Sequence, residues 1–194
     1  MNIITVLGSP GKKGNTNQVM TRTEKKLTES NHRVERINLI DYTVHMCKGC
    51  HTCKKSTERP NCPQKDDAVA LFDRMSAADA VIYGSPIYFW APTAQLKAFI
   101  DRHCSLVTGF GTDDRQSLME GKRLGLIMTC EDQIEENADL SMTMFERLAM
   151  YLKCSYAGPL VIPFTTKRWE MGDDIKAQAA DYADAIVGAR YPSR

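Results

Sequence analysis

The chain lacks a dominant charge: Lys and Arg number 25 against 24 Asp and Glu, for a formal net charge of +1. A nucleic-acid surface needs a clustered excess of Lys and Arg, and none occurs, which excludes that class. Long apolar runs are absent too; the longest are strand-length, well short of the roughly 20 residues a membrane helix needs. No basic stretch followed by a secretory apolar core stands at the start, so a cytoplasmic protein with no membrane partner is expected. In that reducing setting the seven cysteines read as thiols or metal ligands, not as a disulfide framework. Internal repeats, low-complexity tracts and a splitting linker are missing as well. One domain over 1–194, with a cysteine-rich insertion at about 40–66, is therefore expected.

Two phosphate fingerprints are also absent. A P-loop needs Gly-Lys-Ser/Thr after its second glycine, but Gly14 is followed by Asn15. A dinucleotide fingerprint needs Gly-x-Gly, and position 10 is Pro10. What is present is a short β-branched run from Ile3 ending at Gly8, a loop with Gly11 and Gly14, and a helix starting near Asn15 or Thr16. A strand feeding a glycine-containing loop and a helix N-terminus suits one terminal phosphate better than a pyrophosphate. Ser9 and Thr16 offer hydroxyls, Asn15 and Asn17 amides, Lys12 and Lys13 charge. Two rival readings stay open: an ordinary glycine-rich turn, and Asn15 capping the helix with Gln18 three residues on.

Further along, Thr16–Ser30 reads as a helix and Arg33–Leu39 as a strand. After the patternless, cysteine-bearing stretch 40–66 come a helix at Asp67–Met75 and a buried strand at Ala78–Tyr83. Gly84–Trp90 reads as a loop, with Pro92 at the first position of a helix that runs to His103. Residues 105–120 are loop-like. Strands at Arg123–Thr129 and Tyr156–Ile162 and helices at Ala138–Leu152 and Asp173–Ala189 complete the chain. Strand and helix alternating five times predict an α/β sandwich on a parallel sheet. Ligands in such sheets sit beyond the carboxyl ends of the strands, which singles out loops 8–16, 84–91 and 129–133.

Cys47, Cys50, Cys53 and Cys62 are separated by two, two and eight residues, with Gly49 letting the loop turn tightly. Three close cysteines plus a fourth resemble ferredoxin-type ligation of a 4Fe–4S cluster, and Cys62-Pro63 echoes the end of that motif. Tetrahedral zinc, with His51 nearby, is the chemical rival, and an empty loop is the third reading. Cys104 and Cys154 read as core residues, and no histidine has a triad-like partner pattern.

Together, Gly8-Ser9-Pro10 with Gly14-Asn15-Thr16, the cysteine run, Asp66-Asp67, Gly84-Ser85-Pro86-Ile87-Tyr88-Phe89 and Leu96-Lys97-x-Phe99-x-Asp101-Arg102 resemble one family. It is the flavodoxin-like NADPH-dependent FMN reductases, particularly the iron-sulfur flavoprotein branch. The resemblance implies a three-layer sandwich with a five-stranded parallel sheet in the order 2-1-3-4-5. It implies FMN, its phosphate held by Ser9, Asn15, Thr16 and Asn17 beside Gly14, and its ring lined by Pro86, Ile87, Tyr88 and Phe89 beside Ser85. Thr129 and Cys130 become flavin neighbours, although a free cysteine is as readily a small buried apolar residue. Trp90 is a candidate for a subunit contact.

The expected function is an FMN-dependent oxidoreductase. It would pass electrons between NAD(P)H or a reduced carrier, FMN and an iron-sulfur cluster, toward a small-molecule or protein partner, as a homodimer or homotetramer. The alternatives are a cluster-free NAD(P)H-dependent FMN/quinone reductase and a zinc-stapled redox-sensing module.

Overall fold

The computed structural model describes residues 1–55, 60–165 and 171–189. Its central sheet has five strands: β1 Asn2–Leu7, β2 Arg33–Asn38, β3 Ala80–Tyr88, β4 Arg123–Thr129 and β5 Ser155–Ile162. All pair in parallel, in the order β2-β1-β3-β4-β5 expected from the resemblance. Central strands of such a sheet are covered on both faces and so read as continuous apolar runs. Five of the six β1 residues are buried, whereas the edge strand β2 alternates between exposed and covered positions.

Helices α1 Asn15–Glu29 and α5 Asp173–Gly188 cover one face. Their core joins Val19, Met20, Leu27, Ala183 and Ile186 to the strand residues Ile3, Leu7, Ile82 and Ile127. Alternate strand residues (Ile4, Val6, Val81, Tyr83, Leu126 and Met128) point the other way. They meet α2 Ala68–Ala77, α3 Ala94–Ile100 and α4 Asp139–Leu152. Gly125 is needed for this packing, because a Cβ there would lie 2.1 Å from Ile186 Cδ1. No helix among the described residues is long and apolar enough to cross a membrane.

Four local expectations are corrected. β3 does not stop at Tyr83 but continues to Tyr88, its outer half pairing with β4 from Gly84↔Ile127 to Pro86↔Thr129. Pairing with β1 ends at Gly84, so the strand is then open on that side, the setting in which a sheet tolerates proline. Pro92 is not the first helical residue; Thr93 caps α3, its Oγ1 accepting from the Leu96 amide, and the helix ends at Ile100. Asn15 does not cap α1 but lies inside it, behind Gly14. The stretch 105–120 holds a short antiparallel bridge, 107–108 against 116–117.

Candidate functional site

The switch point of the sheet lies between β1 and β3, where the chain leaves in opposite directions and opens a crevice at the carboxyl ends. On its β1 side the loop is fastened by the Gly8 amide, which donates to Gly84 O at 2.7 Å. Gly8 O in turn accepts from the Thr93 hydroxyl and from Gln95 Nε2, tying the loop to α3. Ser9 is 7% exposed; its Oγ donates to Gly11 O at 3.1 Å and accepts from the Gly11 amide at 3.3 Å. No side chain caps α1 at Gly14, and the helix brings its partial positive end to the crevice.

Two bonds fix the far walls. Thr16 Oγ1 and Thr129 Oγ1 lie 2.7 Å apart in buried positions, joining α1 to the end of β4. Asn15 Nδ2 donates to Thr165 O at 3.0 Å, joining α1 to the segment after β5. The resulting cleft is about 280 Å³ and is lined by Ser9, Gly14, Asn15, Thr16, Pro86, Ile87, Tyr88, Thr129, Cys130, Glu131 and Thr165. Ile87, Tyr88 and Glu131 also border a wider hollow of about 690 Å³, lined besides by Phe89, Trp90, Asp132, Gln133, Glu135, Glu136 and Asn137. The helix-headed cleft thus shares Ile87, Tyr88 and Glu131 with an outer hollow that carries aromatic residues, Tyr88, Phe89 and Trp90, and acidic ones, Glu131, Asp132, Glu135 and Glu136.

Of the twelve residues expected to hold or flank FMN, nine line this first cleft. Three do not. Asn17 Oδ1 accepts from Arg36 Nη1, toward β2. Ser85 is fully buried as a peg, its Oγ donating to Pro86 O at 2.7 Å and accepting from the Thr93 amide at 3.0 Å. Phe89 borders only the outer hollow and is 90% exposed. Cys130 lines the cleft yet is 1% exposed, and its Sγ donates to Asp132 O at 3.2 Å. Burial raises its thiol pKa, so it stays protonated. Glu131 and Thr165 line the cleft as well: Glu131 belongs to loop 129–133 but matches no motif of the family, and Thr165 follows β5 in a segment without a sequence signature.

The Tyr88–Ala91 turn is a two-residue hairpin in which Tyr88 pairs with Ala91 and Phe89 and Trp90 occupy the turn. Both sit in the left-handed region, at φ 48° and 62°, where bulky side chains are uncommon. The turn is pinned by Trp90 Nε1 donating to Glu136 O at 3.0 Å and by Ser141 Oγ donating to Trp90 O at 2.9 Å.

The cysteine segment joins β2 to α2. Its base is closed by the Asp67 amide to Thr43 O at 3.0 Å and the His45 amide to Asp66 Oδ2 at 2.9 Å. Cys47 and Cys50 are exposed; Cys53 and Cys62 are half-buried. Burial pushes the Cys53 thiol up, with the neighbouring thiols of Cys104, Cys62 and Cys47 adding to the effect. The Thr52 amide and hydroxyl pull the Cys50 thiol down. Residues 56–59 lie outside the described residues, and among those described no three His, Cys, Asp or Glu side chains are gathered to hold a metal ion. The donor chemistry nonetheless suits a thiolate-bound group. The guanidinium of Arg102, which bonds to Asp66 at the end of this segment, is buried, and its Nε and Nη2 make no hydrogen bond among the described residues. Cys154 is buried as expected, whereas Cys104 is half-buried and accepts from Tyr151 OH at 3.7 Å.

Residues 1–154 match the family model for NADPH-dependent FMN reductase. The chain belongs to that family. Within it, the chain is 37% identical over 110 residues to an iron-sulfur flavoprotein of Methanocaldococcus jannaschii, covering 57% of this chain and 55% of that one. It is 38% identical over 102 residues to an iron-sulfur flavoprotein of Archaeoglobus fulgidus, covering 53% and 45%. The chain thus spans about half the length of these curated relatives. In fold, this FMN reductase family member is similar to a solved NAD(P)H:quinone oxidoreductase from Methanothermobacter marburgensis, with a TM-score of 0.73 at 14% identity over 100% of this chain and 99% of that one.

Proposed function

We propose that this protein is an FMN-dependent oxidoreductase that accepts electrons from NAD(P)H or a reduced carrier and passes them to a small-molecule or protein acceptor. The observation that carries the reading is the pair of adjoining cavities at the switch point, with the α1 N-terminus heading the inner one and Tyr88, Phe89 and Trp90 on the outer one. Ser9, Gly14, Asn15 and Thr16 would hold the phosphate, with Asn17 in support. Pro86, Ile87 and Tyr88 would flank the ring, with Ser85 and Phe89 shaping that loop and Thr129 and Cys130 closing the β4 side. Bound FMN supplies both two-electron and one-electron redox chemistry. The chain's own task is to anchor the phosphate, exclude water from the buried face of the ring and leave its other face open to a donor. No side chain is required as an acid or base in that scheme.

Within this reading, Cys47, Cys50, Cys53 and Cys62 ligate a 4Fe–4S cluster that relays single electrons, supported by their spacing and by the names of the curated relatives. The cluster-free NAD(P)H-dependent FMN/quinone reductase is the second reading, favoured by thiols that are not gathered among the described residues. Anaerobic purification followed by flavin, iron and sulfide assays and NAD(P)H oxidation with a quinone acceptor tests both. Stoichiometric FMN with turnover is expected. Protein that binds no FMN on reconstitution removes the proposal, and FMN with no iron leaves the second reading.

A further inference from the structure

We propose that the outer hollow binds planar aromatic cations and so selects the electron acceptor by charge. The inference rests on the FMN reading of the inner cleft, with which the hollow shares Ile87, Tyr88 and Glu131. At about 690 Å³ the hollow has room for a small fused-ring molecule. Tyr88, Phe89 and Trp90 supply exposed rings for stacking. The loop between β4 and α4 supplies the carboxylates of Glu131, Asp132, Glu135 and Glu136. Among the described residues no Lys or Arg lines the hollow, and none of these four carboxylates is ion-paired. Hairpin and acidic loop are tied together, because Trp90 Nε1 donates to Glu136 O at 3.0 Å and Ser141 Oγ donates to Trp90 O at 2.9 Å.

A helix N-terminus attracts acidic residues without any ligand, and that accounts for Asp139 in the first turn of α4. It does not account for the four around the hollow. They all precede the Ala138 cap, and the helix field falls off within a turn. Like charges around one cavity repel each other, and a cation among them relieves that repulsion. Aromatic faces attract cations as well, through the ring quadrupole. Both effects favour the same ligand and oppose an anion, so the phosphates of a pyridine nucleotide must stay outside the hollow. The charge also helps release product. A fused-ring monocation that takes up a hydride equivalent, two electrons and one proton given up by the reduced flavin of the proposed function, becomes neutral and loses its attraction to the carboxylates.

The test measures equilibrium binding to the full chain, oxidised and without reductant, by calorimetry in the dark. The probes are methylene blue, a three-ring monocation, and anthraquinone-2-sulfonate, a three-ring monoanion. We expect methylene blue to bind about tenfold or more tightly than the sulfonate, with the gap closing as salt rises from about 0.02 M to about 0.5 M. Glu135→Gln/Glu136→Gln, with circular dichroism as the check on folding, should weaken the cation about three- to tenfold and strengthen the anion. Phe89→Asn removes a ring and no charge, and should weaken both probes. Equal affinity for the two probes, or a carboxamide variant that binds them as wild type does, overturns the selection by charge. Unchanged binding in Phe89→Asn removes the hollow as the site. Flavin content is scored separately on the same samples: a chain that takes no FMN yet binds the cation selectively loses the proposed function and keeps the cation site.

Discussion

Asn15 occupies the first turn of α1 with its amide nitrogen 3.0 Å from Thr165 O, so a single side chain braces the cleft where the helix presents its positive end. Asn15→Asp keeps the shape, removes that donor and adds a negative charge at the proposed phosphate end. FMN affinity should fall about tenfold or more, roughly 1.4 kcal/mol, while riboflavin, which has no phosphate, should be nearly unaffected. Flavin fluorescence titrations measure both, and equal losses for the two flavins would move the phosphate elsewhere. A second residue-scale expectation concerns His103, which is buried with its Nε2 2.8 Å from Tyr83 OH and its ring edge-on to Phe72 and Phe99. Burial lowers its pKa from 6.5 to about 3. The unfolded chain therefore takes up a proton below pH 6.5 that the folded chain refuses. Stability from this group is intact above pH 6.5 and declines as pH falls toward 3, by at most about 1.4 kcal/mol per pH unit. The carboxylate of Asp66, held below its usual range, adds its own loss only under about pH 4. Urea midpoints taken between pH 7 and pH 4.5 should fall steadily in wild type and flatten in His103→Leu.

At the scale of elements, the 88–91 hairpin departs furthest from what its sequence suggests. A two-residue turn with both residues left-handed calls for Asn-Gly, and the chain supplies Phe89-Trp90. Phe89 is nearly fully exposed, so packing does not repay its conformation, which costs about 1 kcal/mol or more. Phe89→Asn should raise the urea-derived stability of the flavin-free protein by about 1 kcal/mol and slow NAD(P)H-quinone turnover, the trade expected when strain is kept for function. A stability loss would mean that the ring is held by contacts worth more than the strain. The same hairpin marks where the sequence ceased to be legible. β4 was read at both of its ends because Arg123–Thr129 is a continuous apolar run, and α5 and β5 fell within a residue. Gly84-Ser85-Pro86 instead reads as a turn, since nothing local reveals that β1 has already ended and left an edge where proline does no harm. The cleft was legible because the three chosen loops follow strands. Arg102 was not, because its meaning depends on a carboxylate 36 residues earlier that only the fold brings to it.

For the whole molecule, the distribution of apolar surface points beyond one chain. Tyr88, Phe89 and Trp90 are exposed at 52%, 90% and 53%. Leu140 at the start of α4 is 62% exposed, and the next residue, Ser141, bonds to Trp90 O, so the helix start adjoins the hairpin. Three aromatic residues and a leucine on one rim form the kind of patch that marks an interaction surface. Trp90 is not free to fold inward, because its indole nitrogen is committed to Glu136 O. A second copy of the chain is the covering partner we propose, giving the homodimer or homotetramer that the resemblance implies and placing the open side of each crevice at the subunit boundary. Sedimentation velocity at tens of micromolar should then report a dimer or larger species. Leu140→Glu sets a carboxylate into the apolar rim at an exposed position, where it does not disturb the core, and should shift the population to monomer without lowering secondary structure by circular dichroism. Because the rim also walls the outer hollow, loss of the dimer should raise the KM for the acceptor more than it weakens FMN binding. A wild-type monomer, or a Leu140→Glu chain that still sediments as the parent does, would leave this rim as a surface for the electron partner alone.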